Sequence, residues 1–269
     1  MSRRNPMSAA PTRFPVAGYG QRGFSLLEMM VSLAILTVVI GVAVNGLTEM
    51  QRRDFAEHSK TDTVQEARDF VDQMVRDLHD VGYPPRVVFK NKPQCSLATS
   101  VNVSCSLVSF SPTQIQYEGD LDGTGTIYEV FMNLQAPPSG KCPCILQRGV
   151  VTKATWLGNG NPPTYYTELN GVLNSGDGAG GTTFGVSLSG PGSYSSYDRA
   201  PIFQAWDIDA NPVPNCVDAT TCSSIDSIQI TVNVAPNFAD PQTQTYPVYS
   251  ITSKARVNNA QDDSGTIIP

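Results

Sequence analysis

QRGFSLLEMMVSLAILTVVIGVAVNGL, residues 21–47, contains one carboxylate, Glu28, at the edge of an otherwise apolar run. From Met29 to Thr48 there is no charged residue. An α-helix rises about 1.5 Å per residue, so this stretch covers about 30 Å, the thickness of a bilayer's hydrocarbon core. A secretory signal peptide would have an apolar core of about 7–15 residues and then a small-x-small cleavage site. This run is longer, has no such site after it, and is followed by more helical pattern. Arg3, Arg4, Arg13 and Arg22 precede the run, and no Asp or Glu occurs before Glu28. Basic flanks stay on the cytoplasmic side, which predicts a cytoplasmic N-terminus and an exported bulk. A carboxylate at such depth is costly and marks a function with a partner. The competing reading is that Glu28 reaches back to the interface.

The helical pattern extends well past the apolar run. Val64, Ala67, Val71, Met74, Leu78 and Val81 recur at spacings of three and four, which predicts one buried stripe. Glu66, Arg68, Asp69, Asp72, Arg76 and Asp77 are assigned to the opposite, solvated face. Gly82 can take the left-handed conformation that ends a helix, and Pro84 and Pro85 prevent its continuation. Gly41, Asn45 and Gly46 are weak helix formers within the run and candidates for a joint.

Beyond Pro85 the periodicity changes to that of strands. TQIQYEGD and TIYEVFMNL flank a turn, and in SIDSIQITVNVA the residues Ile228, Ile230, Val232 and Val234 share one face. TQTYPVYSITSKARV is the expected partner of that strand, with Pro247 suggesting an edge. TTFGVSLSG and PIFQAWDID are shorter candidates. A helix followed by a run of strands predicts an α+β fold, with an antiparallel sheet packed on the stripe. The division expected is 1–23 as a leader, 24–81 as a long helix with a transmembrane part about 24–48, and 82–269 as a β-rich exported domain.

The 269 residues carry a formal net charge of −6, and without the four N-terminal arginines it would be −10. Nucleic acid is therefore not indicated as a partner of the domain as a whole. Catalysis is not indicated either. The two histidines, His58 and His79, both fall on the long helix, and neither has a serine or cysteine nucleophile motif beside it.

All six cysteines, Cys95, Cys105, Cys142, Cys144, Cys216 and Cys222, lie after the apolar run. An even number in an exported region predicts disulfides. Short loops favour Cys95–Cys105 and Cys216–Cys222. A direct bridge across Pro143 between Cys142 and Cys144 would be strained. A Cys-Pro-Cys metal site is the sharper alternative there, although no histidine lies nearby and no second pair has zinc spacing. In EGDLDGTGTIYE, Asp120 and Asp122, flanked by Glu118 and Glu129, have the alternation of a calcium loop. Thr124 and Thr126 stand where further acids would be needed, so an Asp-Gly turn is preferred and no cofactor is expected unless that calcium binds.

RGFSLLEMMVSLAI resembles the N-terminus of type IV prepilins: a basic leader, a glycine, a phenylalanine, then a glutamate five residues into the mature chain. ARDFVDQMVRDLHDVGYPP, from Ala67 to Pro85, resembles the helix end of minor pilins of the W type and pseudopilins of the J type. DLDGTGTIYEV resembles a turn common in such minor pilins. The resemblance implies cleavage by prepilin peptidase between Gly23 and Phe24 and methylation of the new Phe24 amine. It also gives Glu28 a partner, the Phe24 ammonium of a neighbouring subunit. Many pilins have proline where this chain has Asn45, so a proline kink is not implied. The function expected is that of a minor pilin in a type IV pilus, with a type II secretion pseudopilin as the alternative. A filament-tip adhesin or DNA receptor is the alternative of another class. The partners expected are other pilin or pseudopilin subunits, the peptidase and the inner-membrane assembly platform. Residence would be in the inner membrane and then in a periplasmic or cell-surface filament.

Overall fold

The computed structural model describes residues 23–84, 101–160, 163–176, 184–190 and 193–257. The chain divides into two compact units, Met1–Met50 and Gln51–Pro269. Helix α1 runs from Leu26 to Asp80. In the first unit every described residue is exposed, including Phe24, Leu27, Met30 and Ile35. The helix is long and apolar enough to cross a membrane.

In the second unit the end of α1 packs on a sheet. Ala67, Phe70, Val71, Met74, Leu78 and Val81 are buried in one cluster with sheet residues such as Leu107, Ile115, Val130 and Leu146. Val64, at the start of the expected stripe, is only half-buried. The stripe is continued by Asp77, which is 9% exposed and not on the solvated face. Asp77 lies three residues after Met74 and four before Val81, so helical spacing puts it among the buried positions. Gly82, at φ 82°, follows the helix, and its N–H donates to Glu118 O at 3.0 Å. Pro85 lies outside the described residues.

Strands β1 (Leu107–Ser111), β2 (Gln114–Gly119), β3 (Tyr128–Gln135), β5 (Cys144–Thr152) and β6 (Tyr165–Val172) form a consecutive antiparallel run. Strand β10 (Ile225–Val234) joins that run through Val234 opposite Val172. It also pairs antiparallel with β8 (Phe203–Asp207) and β11 (Tyr249–Arg256), and β9 (Pro212–Val213) adds to β8. Among the described residues these make one nine-stranded sheet, and β4 (Lys141–Cys142) and β7 (Gly185–Val186) form a small parallel pair. The fold is α+β, as expected. Ile228, Ile230, Val232 and Val234 are all fully buried, as their alternation requires.

β5 and β6 were not anticipated as strands, nor was helix α2 (Lys153–Asn159) between them. Thr152 caps α2, its side chain accepting from the Thr155 N–H, and Gly160 closes it in the left-handed conformation. Gly171, at φ 70°, lets β6 approach β10: a Cβ there would lie 2.4 Å from Ala235 O.

Candidate processing and assembly site

Gly23, Phe24 and Ser25 precede α1, and Glu28 falls in its first turn. The first backbone N–H groups of a helix have no intrahelical acceptor and carry partial positive charge. A carboxylate in that turn is favoured, so Glu28 is compatible with the helix itself before any partner is considered. Around it the surface is apolar: Phe24 is 77% exposed and Leu26 79% exposed. Such a continuous apolar surface marks a lipid or protein contact. Residues 1–22, including Arg22, lie outside the described residues.

Residues 19–44 match the family model described as the prokaryotic N-terminal methylation motif. No curated protein and no solved structure matches the chain. The match covers the glycine, the phenylalanine, the glutamate and most of the exposed apolar helix. The chain therefore carries a prepilin-type N-terminus. That motif implies processing by prepilin peptidase, assembly with other pilin-like subunits and anchorage in a membrane beforehand. It belongs to structural subunits.

The cysteines of the domain are placed as follows. Cys216 is bonded to Cys222, with Cα atoms 5.2 Å apart. Cys142 is bonded to Cys144 with Cα atoms 4.2 Å apart, which corrects the expectation that a direct bridge across Pro143 would be disfavoured and leaves the metal alternative without its thiols. Residues two apart in extended chain project to one side, and the turn at Pro143 draws them together. With both thiols bonded, neither is a metal ligand. Cys105 is also disulfide-bonded. Cys95 lies outside the described residues.

Asp120 and Asp122 sit in the hairpin loop between β2 and β3. Asp122 accepts hydrogen bonds from the Thr124 N–H at 3.0 Å, the Thr124 hydroxyl at 2.7 Å and the Tyr128 hydroxyl at 3.0 Å. The hydrogen bonds from Thr124 hold its carboxyl below the usual carboxylate value. Asp120 accepts from the Gly125 N–H at 2.9 Å. Gly123 and Gly125 adopt positive φ, as a tight loop requires. Glu118 and Glu129 are not beside these carboxylates as further ligands but are buried in the sheet. Among the described residues, no three His, Cys, Asp or Glu side chains are grouped to hold a metal.

Two charged clusters, one on each face of the sheet, escaped the sequence reading. On the α1 face, Asp77 Oδ2 accepts from Arg148 Nη2 and from the Tyr117 hydroxyl, both at 2.7 Å. This ties α1 to β2 and β5. Burial, then the Asp77 charge, pushes the Tyr117 hydroxyl well above its usual value, so it remains a donor. Glu118 is the next residue along β2 and points to the opposite face. There Lys153 Nζ donates to Glu118 Oε2 at 2.6 Å and to Val103 O at 3.0 Å. Glu129 stands directly across from Glu118 in β3 and accepts from Gln116 Nε2 at 3.0 Å. Burial, then repulsion from Glu118, pushes the Glu129 carboxyl up to about 9. Glu129 is thus a neutral acid at physiological pH.

Proposed function

We propose that this chain is a minor pilin, a structural subunit of a type IV pilus. In this reading residues 1–23 are a cytoplasmic leader, and prepilin peptidase cuts between Gly23 and Phe24 and methylates the Phe24 amine. Residues 24–48 hold the protein in the inner membrane as a single span, with the N-terminus cytoplasmic and the domain exported. Assembly then moves the apolar helix from lipid to the company of other subunits' helices. Glu28 docks against the Phe24 ammonium of a neighbour. Either charge alone is penalised at low dielectric, while the pair is attractive and fixes register.

One observation carries the reading. The methylation motif at residues 19–44 coincides with the first part of α1, which is apolar and exposed on every side yet keeps one carboxylate in its first turn. The disulfides in the domain fit an oxidising compartment. The test is the mature N-terminus. Mass spectrometry of protein from membranes should find N-methylated Phe24 as the first residue. A chain beginning at Met1, or cut after the apolar run, contradicts the proposal. Sheared filaments from cells should then contain the subunit as a minor component.

A further inference from the structure

The Lys153 cluster has the parts of a condensation reaction. Lys153 is fully buried, Glu118 is 3% exposed and Glu129 is 2% exposed. Lys153 Nζ lies 2.6 Å from Glu118 Oε2. The Cys105 N–H donates to the same Glu118 oxygen at 2.8 Å, a polarising contact from the backbone. Glu129 stands directly across from Glu118 in the β2–β3 pairing and is buried beside it. An amine, a carboxyl group and a second carboxyl are therefore held together away from water, with the backbone of β2, β3 and α2 fixing each.

We propose that Lys153 and Glu118 form an intramolecular amide bond, with Glu129 as the proton donor for the departing oxygen. Proton transfer across the 2.6 Å contact turns ammonium and carboxylate into amine and carboxylic acid. Lys153 Nζ then attacks Glu118 Cδ, so that an N–C bond forms and one C–O bond of Glu118 breaks. Glu129 gives its proton to the leaving oxygen and takes one back from the nitrogen, ending as it began. Two protons from the original ammonium leave with the oxygen as one water, and no oxidant or other reactant is needed. Burial keeps Glu129 protonated, with its carboxyl pushed up to about 9, so the donor is present at neutral pH. Effective molarities of about 10⁵–10⁸ M for well-oriented groups offset the tendency of water to reverse such a step. Condensation also removes two buried charges whose desolvation is costly. The product would link β2 to the start of α2 covalently, across 35 positions of sequence.

The decisive measurement is the intact mass of the full chain, extracted from membranes, reduced and unfolded. The expected mass is lower than that of the reduced processed chain by one water. The expected digest contains a branched peptide joining Glu118 to Lys153, with no tryptic cut after Lys153. Glu129→Gln keeps the shape and the Gln116 contact but has no carboxyl proton to give. It should fold, as judged by circular dichroism, and show the full, uncondensed mass. A wild-type mass equal to the full reduced value, with trypsin cutting after Lys153, overturns the bond. Complete condensation in Glu129→Gln overturns the role given to Glu129.

Discussion

Between Met29 and Thr48, α1 carries no charged residue, and every residue is exposed. Between Ala67 and Leu78 the same helix carries Arg68, Asp69, Asp72, Arg76 and Asp77, yet it supplies six buried positions to the core of the second unit. Hydropathy alone would have assigned burial the other way round. What decides burial within a chain is a stripe at helical spacing with a complementary surface opposite it. The second half has the sheet. Among the described residues of its own unit the first half has no such surface, and its apolar area is exposed for lipid or other subunits to cover. A lone carboxylate therefore has a different meaning in each half. Asp77 has its partners, Arg148 and Tyr117, within the same unit. Glu28, on the proposal above, finds its partner only in another subunit.

Exchanging the two carboxylates for alanine tests this contrast most directly. Glu28→Ala should leave membrane levels and the melting temperature of the domain unchanged. It should deplete the subunit from sheared filaments by about tenfold or more, because a neighbour's ammonium would be left buried and unpaired. Asp77→Ala should do the reverse at its source. It leaves Arg148 without its carboxylate and the Tyr117 hydroxyl without its acceptor, and should lower unfolding free energy by about 3–5 kcal/mol. Equal incorporation of Glu28→Ala into filaments would make Glu28 an interfacial residue only. A melting temperature unchanged in Asp77→Ala would show that the clamp between α1 and β5 adds nothing to stability.

The second buried carboxylate system sharpens the contrast by pH. In the chain before condensation, Glu129 has an ordinary value of 4.5, raised to about 9 in the fold by burial and then by the Glu118 charge. Below pH 4.5 both folded and unfolded chains hold this proton, and the contribution is fully present. Between that value and about 9 the folded chain keeps a proton that the unfolded chain has released, so stability falls as pH rises. The slope from this one group is at most about 1.4 kcal/mol per pH unit. Glu129→Gln, compared with wild-type chain recovered before condensation, cannot ionise and should remove it. The observable is the slope of unfolding free energy against pH from about 5 to about 8, which a pH-independent offset does not alter. Identical slopes in the two proteins would mean that Glu129 is ionised in the fold.

Some of this was legible in the sequence and some was not, for a definite reason. The exposed helix, the buried stripe and the alternation in β10 are periodic patterns, and a pattern needs only its own residues to be recognised. Glu28 stood out because a single charge interrupts a long uncharged run. Asp77 did not, because one acid among several on a helix reads as solvated until its partner is known. That partner, Arg148, is 71 positions away. Lys153, Glu118 and Glu129 were hidden in the same way: each is ordinary in its own window, and the cluster exists only once β2, β3 and α2 are assembled. Gly149 and Arg148 interrupt the alternation of CILQRGVVT, which is why β5 was missed although Leu146 is fully buried within it. Thr152, three residues before Thr155, was the local signal that could have located α2.

The smallest expected effect concerns the disulfides, and it separates the two units once more. All the cysteines lie in the second unit, so reduction should act on the domain and leave the apolar helix as it was. A cross-link stabilises chiefly by restricting the unfolded chain, and more so for a longer loop. Cys216 and Cys222 are six positions apart, and Cys142 and Cys144 only two. On loop length alone, replacing the first pair by serine should cost about 2 kcal/mol and the second somewhat less. The native contacts favour the same order. The backbone of Cys216 exchanges two hydrogen bonds with Phe110 of β1, each at 3.0 Å, and Cys222 ends helix α3 (Ala219–Cys222). The Cys216–Cys222 bridge thus ties α3 to the residue that pairs with β1. Cys144, by contrast, is already part of the central strand β5 and is kept in place by its ladder whether or not the bridge is closed. Denaturant titrations of the two double-serine variants, each under oxidising conditions, should rank them in that order. A larger loss from the Cys142–Cys144 pair would mean that the turn at Pro143 depends on its bridge, and that loop length is the wrong guide to this domain.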